Sequence, residues 1–462
     1  MTMTDFNKKF IYFICFVSAL GGLLFGYDWV VIGGAKPFYE VFFGITDNPV
    51  QQGWAMSIAI AGCLVGATTA GKLADLIGRK WLLMISSVIF LISAYGTGEV
   101  SDYDLFLFYR LIGGVAIGVA SMVSPMYIAE ISPAHIRGKL VSINQLTIVI
   151  GILAAQIVNY LIAEPLDSNT TQPALASWNC QWGWRWMFWA EAFPAALFFI
   201  MSFFIPESPR WLILKDRTGK ALEVLSKIGG KGYAHKEMEA QQKSDRNKKE
   251  GNLATLFSKP YRRVLILGLI VAVFQQWCGT NVIFNYAQEI FEGAGYDVSE
   301  TLFNIVLTGI TNLVFTFVAI FTVERLGRRT LMLIGAGGLA ITYLLLGAGY
   351  FFGFTGIGMV ILVVIAIACY AMTLGPVTWV LLSEIFPDRV RAVAMATCTF
   401  ALWAACFLLT YTFPILNSWL GSYGTFWIYA AICIFGYLFF LRRLPETKGE
   451  SLEEIEKKLI EN

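Results

Sequence analysis

The sequence contains little charge for its length. Asp, Glu, Lys and Arg make up 14% of the 462 residues, hydrophobic residues make up 57%, and the mean hydropathy is +0.63. Soluble domains carry about 25% charged residues, so this composition excludes a disordered chain, a disulfide-stabilised secreted domain and most soluble enzymes. The formal net charge of +2 argues against a nucleic-acid-binding protein. The composition therefore predicts a protein that crosses a membrane several times.

Motifs for metal ions, nucleotides and hydrolytic catalysis are also missing. The chain has two histidines, and its eight cysteines form no CxxC pattern or Cys/His cluster. We therefore expect no metal site, and cysteines that pack as small hydrophobic residues. The absence of HExxH, GxSxG and GxxxxGK[ST] argues against an enzyme and an ATP-driven pump. The sequence predicts neither enzymatic activity nor a bound cofactor.

Twelve apolar runs are long enough to cross a bilayer, which takes about 20 residues. They lie near 10–34, 54–74, 81–98, 104–128, 140–163, 186–205, 264–290, 301–323, 331–353, 357–382, 392–416 and 424–441. A polar stretch rich in Lys and Arg separates the sixth run from the seventh. We predict an all-α membrane protein with these parts: a six-helix bundle (1–205), a cytoplasmic linker with short amphipathic helices (206–263), a second six-helix bundle (264–443) and a cytoplasmic tail (444–462).

The basic residues predict how the chain is oriented. If the runs alternate across the membrane, both termini lie on the same side, and that side holds 31 of the 34 Lys and Arg. The exceptions are Lys36, Arg110 and Arg185. Loops that are rich in Lys and Arg face the cytoplasm. We therefore predict a multi-pass protein of the plasma membrane or bacterial inner membrane with both termini in the cytoplasm.

Three short motifs occur once in each half of the chain. Gly71–Lys80 corresponds to Val323–Arg329, Glu130-Ile-Ser-Pro to Glu384-Ile-Phe-Pro, and Pro206-Glu-Ser-Pro to Pro445-Glu-Thr-Lys. A duplicated six-helix unit explains the repetition. Parallel repeats with a binding site at their interface are typical of secondary transporters.

The repeated motifs combine acidic and basic residues at the inner ends of the predicted helices. We predict a cytoplasmic gate in which ion pairs join the two halves while the inner side is closed and break when it opens. The alternative is that these charges only set the topology. The predicted gate residues are Asp75, Arg79, Glu130, Arg137, Glu207, Arg210, Glu324, Arg328, Glu384, Arg391 and Glu446.

Three ionisable residues lie inside the predicted spans: Asp28, Arg110 and Glu191. Charges at membrane depth are costly and usually functional. An Asp beside an Arg keeps a low pKa, and an isolated buried Asp has a raised one. Alternation between these environments would take up and release a proton, so we predict proton coupling. A permanent structural ion pair is the alternative.

The seventh run contains an unusual group of amides, Gln275, Gln276 and Asn281. Amide groups both donate and accept hydrogen bonds, which suits the hydroxyl groups of a neutral sugar. Gln145 and Asn312 add two amides, and Trp379 follows Gly375-Pro376, where a helix can break and an indole can stack on a sugar. Packing between helices is the alternative role for each of these side chains taken singly.

These residues and motifs, in this order, resemble the sugar porter family of the major facilitator superfamily, and most closely bacterial D-xylose:proton symporters. The resemblance covers essentially the whole chain. It implies a rocker-switch carrier with proton coupling at Asp28, Arg110 and Glu191. It also implies aromatic walls at Phe25 and Tyr286 around a sugar held by Gln145, Gln275, Gln276, Asn281, Asn312 and Trp379.

The chain departs from the xylose symporters at four positions that often carry polar groups in them: Ile152, Asn285, Leu402 and Cys406. Each lost amide contact removes about 0.5–1.5 kcal/mol, so the sugar is left open. The sequence thus predicts a proton-coupled importer of D-xylose or a similar pentose or hexose, with a proton as coupling ion and the lipid bilayer and sugar as partners. A facilitative uniporter, which usually has Asn in place of Asp28, and a sugar sensor remain as alternatives.

Overall fold

Helices make up both halves of the chain. The computed structural model describes residues 6–164, 174–247, 253–387 and 389–448. The first half contains α1 (Lys8–Phe43), α2 (Pro49–Ile77), α3 (Arg79–Glu99), α4 (Tyr103–Ile131), α5 (Arg137–Ile162), α6 (Trp184–Trp189) and α7 (Ala192–Ser202). Short turns precede α5 (Ala134–Ile136) and α6 (Ala174–Ala176 and Asn179–Gly183).

The polar stretch between the halves also forms helices. It contains α8 (Pro209–Leu214), α9 (Thr218–Asn247) and α10 (Leu253–Leu256), and α9 is kinked at Gly229 and Gly230. We call the end of the bundle that carries these helices the inner end and the opposite end the outer end. The domain limits at 206 and 263 stay a prediction, and most of the predicted tail, residues 449–462, lies outside the described residues.

The second half repeats the arrangement with more interruptions. It contains α11 (Lys259–Trp277), α12 (Thr280–Asn285), α13 (Ala287–Gly293), α14 (Val298–Leu326), α15 (Arg328–Phe351), α16 (Ile357–Met372), α17 (Leu374–Ile385) and α18 (Arg391–Arg443). The predicted seventh span is therefore α11 to α13, and the predicted tenth span is α16 and α17.

Ten of the described helical stretches are long and apolar enough to cross a membrane. One of them, α18, has 53 residues with a break at Gly421, and at 1.5 Å per residue its length of about 80 Å crosses a bilayer of roughly 30 Å twice. The sixth predicted span is divided between α6 and α7 by a turn at Ala190 and Glu191. These two features account for the twelve predicted spans.

Local sequence signals set several helix ends. Asn7, Asn48 and Asp102 accept a backbone N–H in the first turns of α1, α2 and α4. Asp297 and Glu300 form a reciprocal capping box at the start of α14. These side chains satisfy backbone donors that have no partner inside the helix, so the outer ends of α2, α4 and α14 begin at fixed residues.

The two halves meet along a small number of helix pairs. Within the first half, α2 packs against α4 and α1 packs against α5, and between the halves α2 contacts α18 and α5 contacts α14. The helix α1 also contacts α12 and α13. This arrangement places the polar residues of α1, α4, α11 and α12 near the interface between the two bundles and confirms the predicted fold class.

Candidate transport site

The two predicted intramembrane charges of α1 and α4 form an ion pair. The Arg110 guanidinium donates through Nη1 to Asp28 Oδ1 and through Nη2 to the Asp28 carbonyl oxygen, the latter at 3.3 Å. Asp28 is 1% exposed and Arg110 is 2% exposed. The Arg110 guanidinium also lies 5.4 Å from the centre of the Phe188 ring. The predicted meeting of these two charges is therefore present in the structure.

Glu191, the third predicted charge, lies at the break between α6 and α7. It is 2% exposed and near enough to Asp28 and Arg110 to interact with both charges. Among the described residues, Glu191 Oε1 and Asp28 Oδ2 have no hydrogen-bond partner. A buried carboxylate oxygen without a hydrogen-bond donor is costly. Either carboxylate can remove this cost by binding a proton.

The amides of the seventh span form a hydrogen-bonded chain. Asn281 donates to Gln276 Oε1, Gln276 Nε2 donates to Gln275 Oε1 at 2.7 Å, and Gln275 Nε2 donates to the Tyr370 hydroxyl at 2.5 Å. Helix α12 begins after Gly279, and this break places Asn281 back against Gln276. The amide chain therefore presents a row of hydrogen-bond donors and acceptors in the second half. Groups of this kind bind the hydroxyl groups of sugars.

The two predicted aromatic walls, Tyr286 and Phe25, have different surroundings. Tyr286 is fully buried, donates from its hydroxyl to the Thr410 carbonyl at 2.6 Å, and packs on Phe413 with ring centres 4.5 Å apart. Phe25 of α1 lies 6.0 Å, centre to centre, from both Trp29 and Trp403. Trp403 belongs to α18, so these rings connect the two halves.

The other predicted sugar-binding residues lie on separate helices. Asn312 is 6% exposed on α14, Trp379 is 37% exposed on α17, and Gln145 is exposed on α5. Within the described residues they are not members of the amide chain. Their contact with a sugar therefore stays a prediction.

The four positions where the chain departs from its resemblance are buried, and one of them contacts the amide chain. Ile152, Leu402 and Cys406 are buried, and the Cys406 sulfur is 3.7 Å from Asn281 Nδ2. Asn285 is buried at the end of α12. A thiol thus borders the amide chain at a position where an amide would extend it.

At the inner end, the first half contains a network of charges. The Arg79 guanidinium donates to both oxygens of Glu130, each at 3.0 Å, and Ser208 donates to Glu130 Oε2 at 2.5 Å. Glu207 Oε1 accepts the backbone N–H groups of Arg79, Lys80 and Ser208 at 2.8–3.1 Å. Burial raises the pKa of the Glu207 carboxyl, although these N–H groups and Arg79 oppose the shift.

The second half contains the same network. The Arg328 guanidinium donates to Glu384 at 3.2 and 2.9 Å, and Thr447 donates to Glu384 Oε2 at 2.6 Å. Glu446 accepts the backbone N–H of Arg328 at 2.8 Å and that of Arg329 at 3.2 Å. The repetition predicted from the three motifs therefore extends to individual hydrogen bonds.

These contacts pair the gate residues within each half. The contacts of Arg79 with Glu130 and of Arg328 with Glu384 each lie inside one half. Ion pairs across the halves were predicted for the conformation in which the inner side is closed, and they stay a prediction. The local pairing follows from the six-helix unit itself. The inner ends of its second and fourth spans and the segment after its sixth span converge, and they satisfy one another locally.

Three of the remaining predicted gate residues have local partners as well. Asp75 pairs with Arg79 at 2.9 Å, Arg137 donates to the Ser132 carbonyl at 3.5 Å, and Arg391 donates to the Phe386 carbonyl at 3.0 Å. Arg210 is the second residue of α8 (Pro209–Leu214). The side chain of Glu324 lies outside the described part of the structure.

Sequence reasoning missed three contributors to these sites. Tyr370 ends the amide chain, and Ser208 and Thr447 donate to the acidic residues of the inner networks. Ser208 and Thr447 stand at equivalent places of the repeated Pro-Glu motif, which was an available signal. Tyr370 carried none, because tyrosines are common in membrane helices and its partner lies 95 residues away in the chain.

No group of three or more His, Cys, Asp or Glu side chains is placed to hold a metal ion within the residues described. All eight cysteines are free, and seven of them are buried. The structure thus offers charges, amides and aromatic rings at the interface of two repeated bundles. These features define a secondary transporter of the major facilitator superfamily.

The chain belongs to the family described as "Sugar (and other) transporter", whose sequence profile matches residues 14–459. It is 38% identical to the D-xylose-proton symporter of Escherichia coli over 98% of this chain and 96% of the relative. It is 36% identical to the arabinose-proton symporter of Bacillus subtilis, with 98% and 95% covered. The family confirms a membrane transporter and not an enzyme.

Two solved structures show the same fold. The partially occluded inward-open form of the E. coli xylose transporter matches with a TM-score of 0.85 at 36% identity, over 96% of this chain and all of that chain. The same symporter bound to 6-bromo-6-deoxy-D-glucose matches with a TM-score of 0.80 at 37% identity, over 98% and 100%. This chain is therefore similar in fold to both structures.

Proposed function

We propose that the protein is a proton-coupled monosaccharide symporter that works by rocker-switch alternating access. The observation that carries the proposal is the buried Asp28–Arg110 ion pair beside the partly unsatisfied carboxyl of Glu191. The relatives of this chain named as proton symporters of xylose and arabinose support it.

In the proposed cycle, the proton competes with Arg110 for Asp28. Protonation of Asp28 releases the guanidinium and lets the outward-open carrier bind sugar and close around it. The carrier then opens inward, releases the sugar and loses the proton, and Arg110 pairs with Asp28 again. The membrane potential adds about 2.3 kcal/mol per charge for every 100 mV, so an inward proton gradient can drive accumulation.

The test is sugar uptake into proteoliposomes with an imposed inward proton gradient. We expect accumulation that collapses when the gradient is dissipated. Asp28→Asn should abolish accumulation and leave sugar exchange intact, because the neutral amide mimics the protonated acid. Uptake that is indifferent to the gradient in the unmodified protein would overturn the coupling and favour a facilitative uniporter, in which Asp28 and Arg110 are a structural pair.

The sugar is proposed to be D-xylose or a similar pentose or hexose, held by the amide chain of Gln275, Gln276 and Asn281. Counterflow with a panel of pentoses and hexoses tests this proposal. Strong counterflow of one or several neutral monosaccharides is expected. A protein that binds sugar without counterflow would instead favour a sensor, and the absence of binding across the panel would overturn the sugar site.

The proposed setting follows from the charge distribution. The inner end faces the cytoplasm together with both termini, in a plasma membrane or bacterial inner membrane. The gate residues at the inner end control access from that side. We propose that the carrier works in the lipid bilayer with a proton as coupling ion, with no bound cofactor and no nucleic acid partner.

A further inference from the structure

The outer end of the protein is tightly closed between the halves. A Cβ on Gly33 of α1 would lie 2.9 Å from the Phe284 carbonyl oxygen of α12, and one on Gly53 of α2 would lie 2.5 Å from the Tyr411 carbonyl oxygen of α18. A Cβ on Gly309 of α14 would meet the Gln156 side chain of α5. Three separate pairs of helices thus leave no room for a side chain at this end.

An ion pair crosses the interface next to the first of these contacts. Lys36 Nζ lies 2.5 Å from Glu289 Oε1 of α13 and 2.9 Å from Glu40 Oε1 of its own helix, α1. The Lys36 side chain is 2% exposed, and its ammonium lies 5.8 Å from the centre of the Tyr286 ring. Lys36, two residues beyond the first predicted span, is therefore a buried residue of α1, one turn beyond Gly33.

We propose that the ion pair between Lys36 and Glu289 is an outer lock, which holds the two halves together at the outer end and breaks when the carrier opens outward. The proposal rests on the alternating access proposed above. It adds residues that belong to neither the proton site nor the sugar site.

The two carboxylates have different roles in this lock because only one of them moves away. Glu40 is four residues from Lys36 on the same helix and keeps its contact when the halves separate. Glu289 lies in the other half and is 23% exposed, so water can solvate it when the pair breaks. The ammonium is paired in both conformations, and opening avoids the large cost of an unpaired buried charge.

This asymmetry predicts opposite effects of two similar substitutions. Glu289→Gln removes the contact that exists only in the closed conformation, so the outward-open population should rise by about fivefold or more. Glu40→Gln removes the partner that Lys36 keeps after opening, so the outward-open population should fall or stay constant. Glu292→Gln is the matched control, because its side chain bonds to Gln288 on the same helix.

Hydrogen–deuterium exchange of the purified transporter measures the population without requiring sugar or a proton gradient. We expect faster exchange in Glu289→Gln at the outer parts of α1, α12 and α13, and wild-type exchange in Glu292→Gln. Lys36→Gln removes the same pair from the other half and should also speed exchange there. Equal acceleration by Glu40→Gln and Glu289→Gln, or unchanged exchange in both Glu289→Gln and Lys36→Gln, would overturn the lock.

The readout also separates this proposal from the proposed function. A failure of sugar counterflow leaves the exchange experiment unaffected, because the exchange reports the closure of the outer end directly. If the exchange results are as expected but sugar uptake shows no proton coupling, the ion pair still closes the outer end and does so independently of the proton.

Discussion

At the residue scale, the central member of the amide chain is Gln276. It donates to Gln275 and accepts from Asn281, so its side chain orients both neighbours as well as facing the proposed sugar. Its replacement by an apolar residue removes both of these hydrogen bonds.

Gln276→Ala should lower sugar affinity by about three- to tenfold, since one neutral hydrogen bond contributes about 0.5–1.5 kcal/mol. Isothermal titration with the sugar that gives the strongest counterflow measures the change. Gln288→Ala is the control, because that amide bonds to Glu292 at the outer end. Equal affinity losses in the two variants would contradict a direct role for the amide chain.

A second prediction at this scale concerns Glu207, which lies beyond the inner end of the sixth span. Its pKa is raised above the ordinary value of 4.5, chiefly by burial. The folded protein therefore holds the proton more tightly than the unfolded chain does. The stability that this group contributes is present below about pH 4.5 and is lost as the pH rises through the raised pKa of the folded state.

Glu207→Gln should remove this pH dependence, because the amide does not ionise. The melting temperature of the wild type relative to the variant should fall as the pH rises from about 4.5 through the raised pKa of the folded state. Thermal unfolding in detergent at a series of pH values measures it, with Glu239→Gln, an exposed carboxyl of the linker, as control. A relative melting temperature that rises over this range would show that the ionised form is the favoured one.

At the scale of single helices, the junction between α2 and α3 depends on Gly78. Its φ of +105° is a conformation that side chains rarely adopt, and a Cβ would lie 2.3 Å from Glu207 Oε2. Gly327 has the same role between α14 and α15, with φ of +86° and a Cβ 2.6 Å from Glu446 Oε2. The glycine thus lets the acidic residue approach the first backbone N–H groups of the next helix.

Gly78→Ala should destabilise the protein by about 1–3 kcal/mol, from backbone strain and the displaced carboxylate. Gly71→Ala is a matched control in the same motif, because it lies in the helix with no neighbouring atom within 4 Å, and it should be neutral or stabilising by up to about 1 kcal/mol. Thermal unfolding compares the two variants. Equal stability of Gly78→Ala and Gly71→Ala would rule out the proposed strain.

The interrupted spans show what a hydropathy pattern leaves open. The break in the tenth span was expected at Gly375-Pro376 and occurs at Thr373, whose backbone leaves the helical conformation. The seventh span breaks after Trp277 and again at Tyr286. Apolar runs predict that a segment crosses the bilayer, because its apolar side chains are more stable in lipid than in water. They do not predict where the helix breaks, since a break needs neighbouring helices that bond to the backbone groups it frees.

At the scale of the whole molecule, the inner charges are organised by half. Arg79 binds Glu130 with both side chains nearly buried, at 4% and 6% exposure. Substitutions at the two residues of a buried, bidentate ion pair have strongly coupled effects on stability. Substitutions at residues that do not touch have additive effects. The arrangement therefore makes a quantitative prediction about which substitutions are coupled.

A double-mutant cycle of Arg79→Gln with Glu130→Gln should give a coupling energy of about 1.5 kcal/mol or more. The corresponding cycle of Arg79→Gln with Glu384→Gln should give a value within about 0.5 kcal/mol of zero. Unfolding free energies of the purified variants supply both values. A comparable coupling across the halves would contradict this organisation by half and show that Arg79 also pairs with the second half.

The sequence by itself determined the membrane-spanning fold, the duplication and the candidate residues of the transport site. Hydropathy, charge placement and repeated motifs act locally along the chain, so they can be recognised without knowing which helices touch. The proximity of Asp28 to Arg110 was also predictable, because few charges occur inside the spans and each needs a partner.

Only the tertiary structure decided which partners these residues take. It paired Arg79 and Arg328 within their halves, ended the amide chain at Tyr370, and placed Lys36 of the first half against Glu289 of the second. Such choices depend on the packing of helices that are distant in sequence. A salt bridge forms between the charges that this packing brings within a few ångströms, and many alternative pairings share the same composition and spacing.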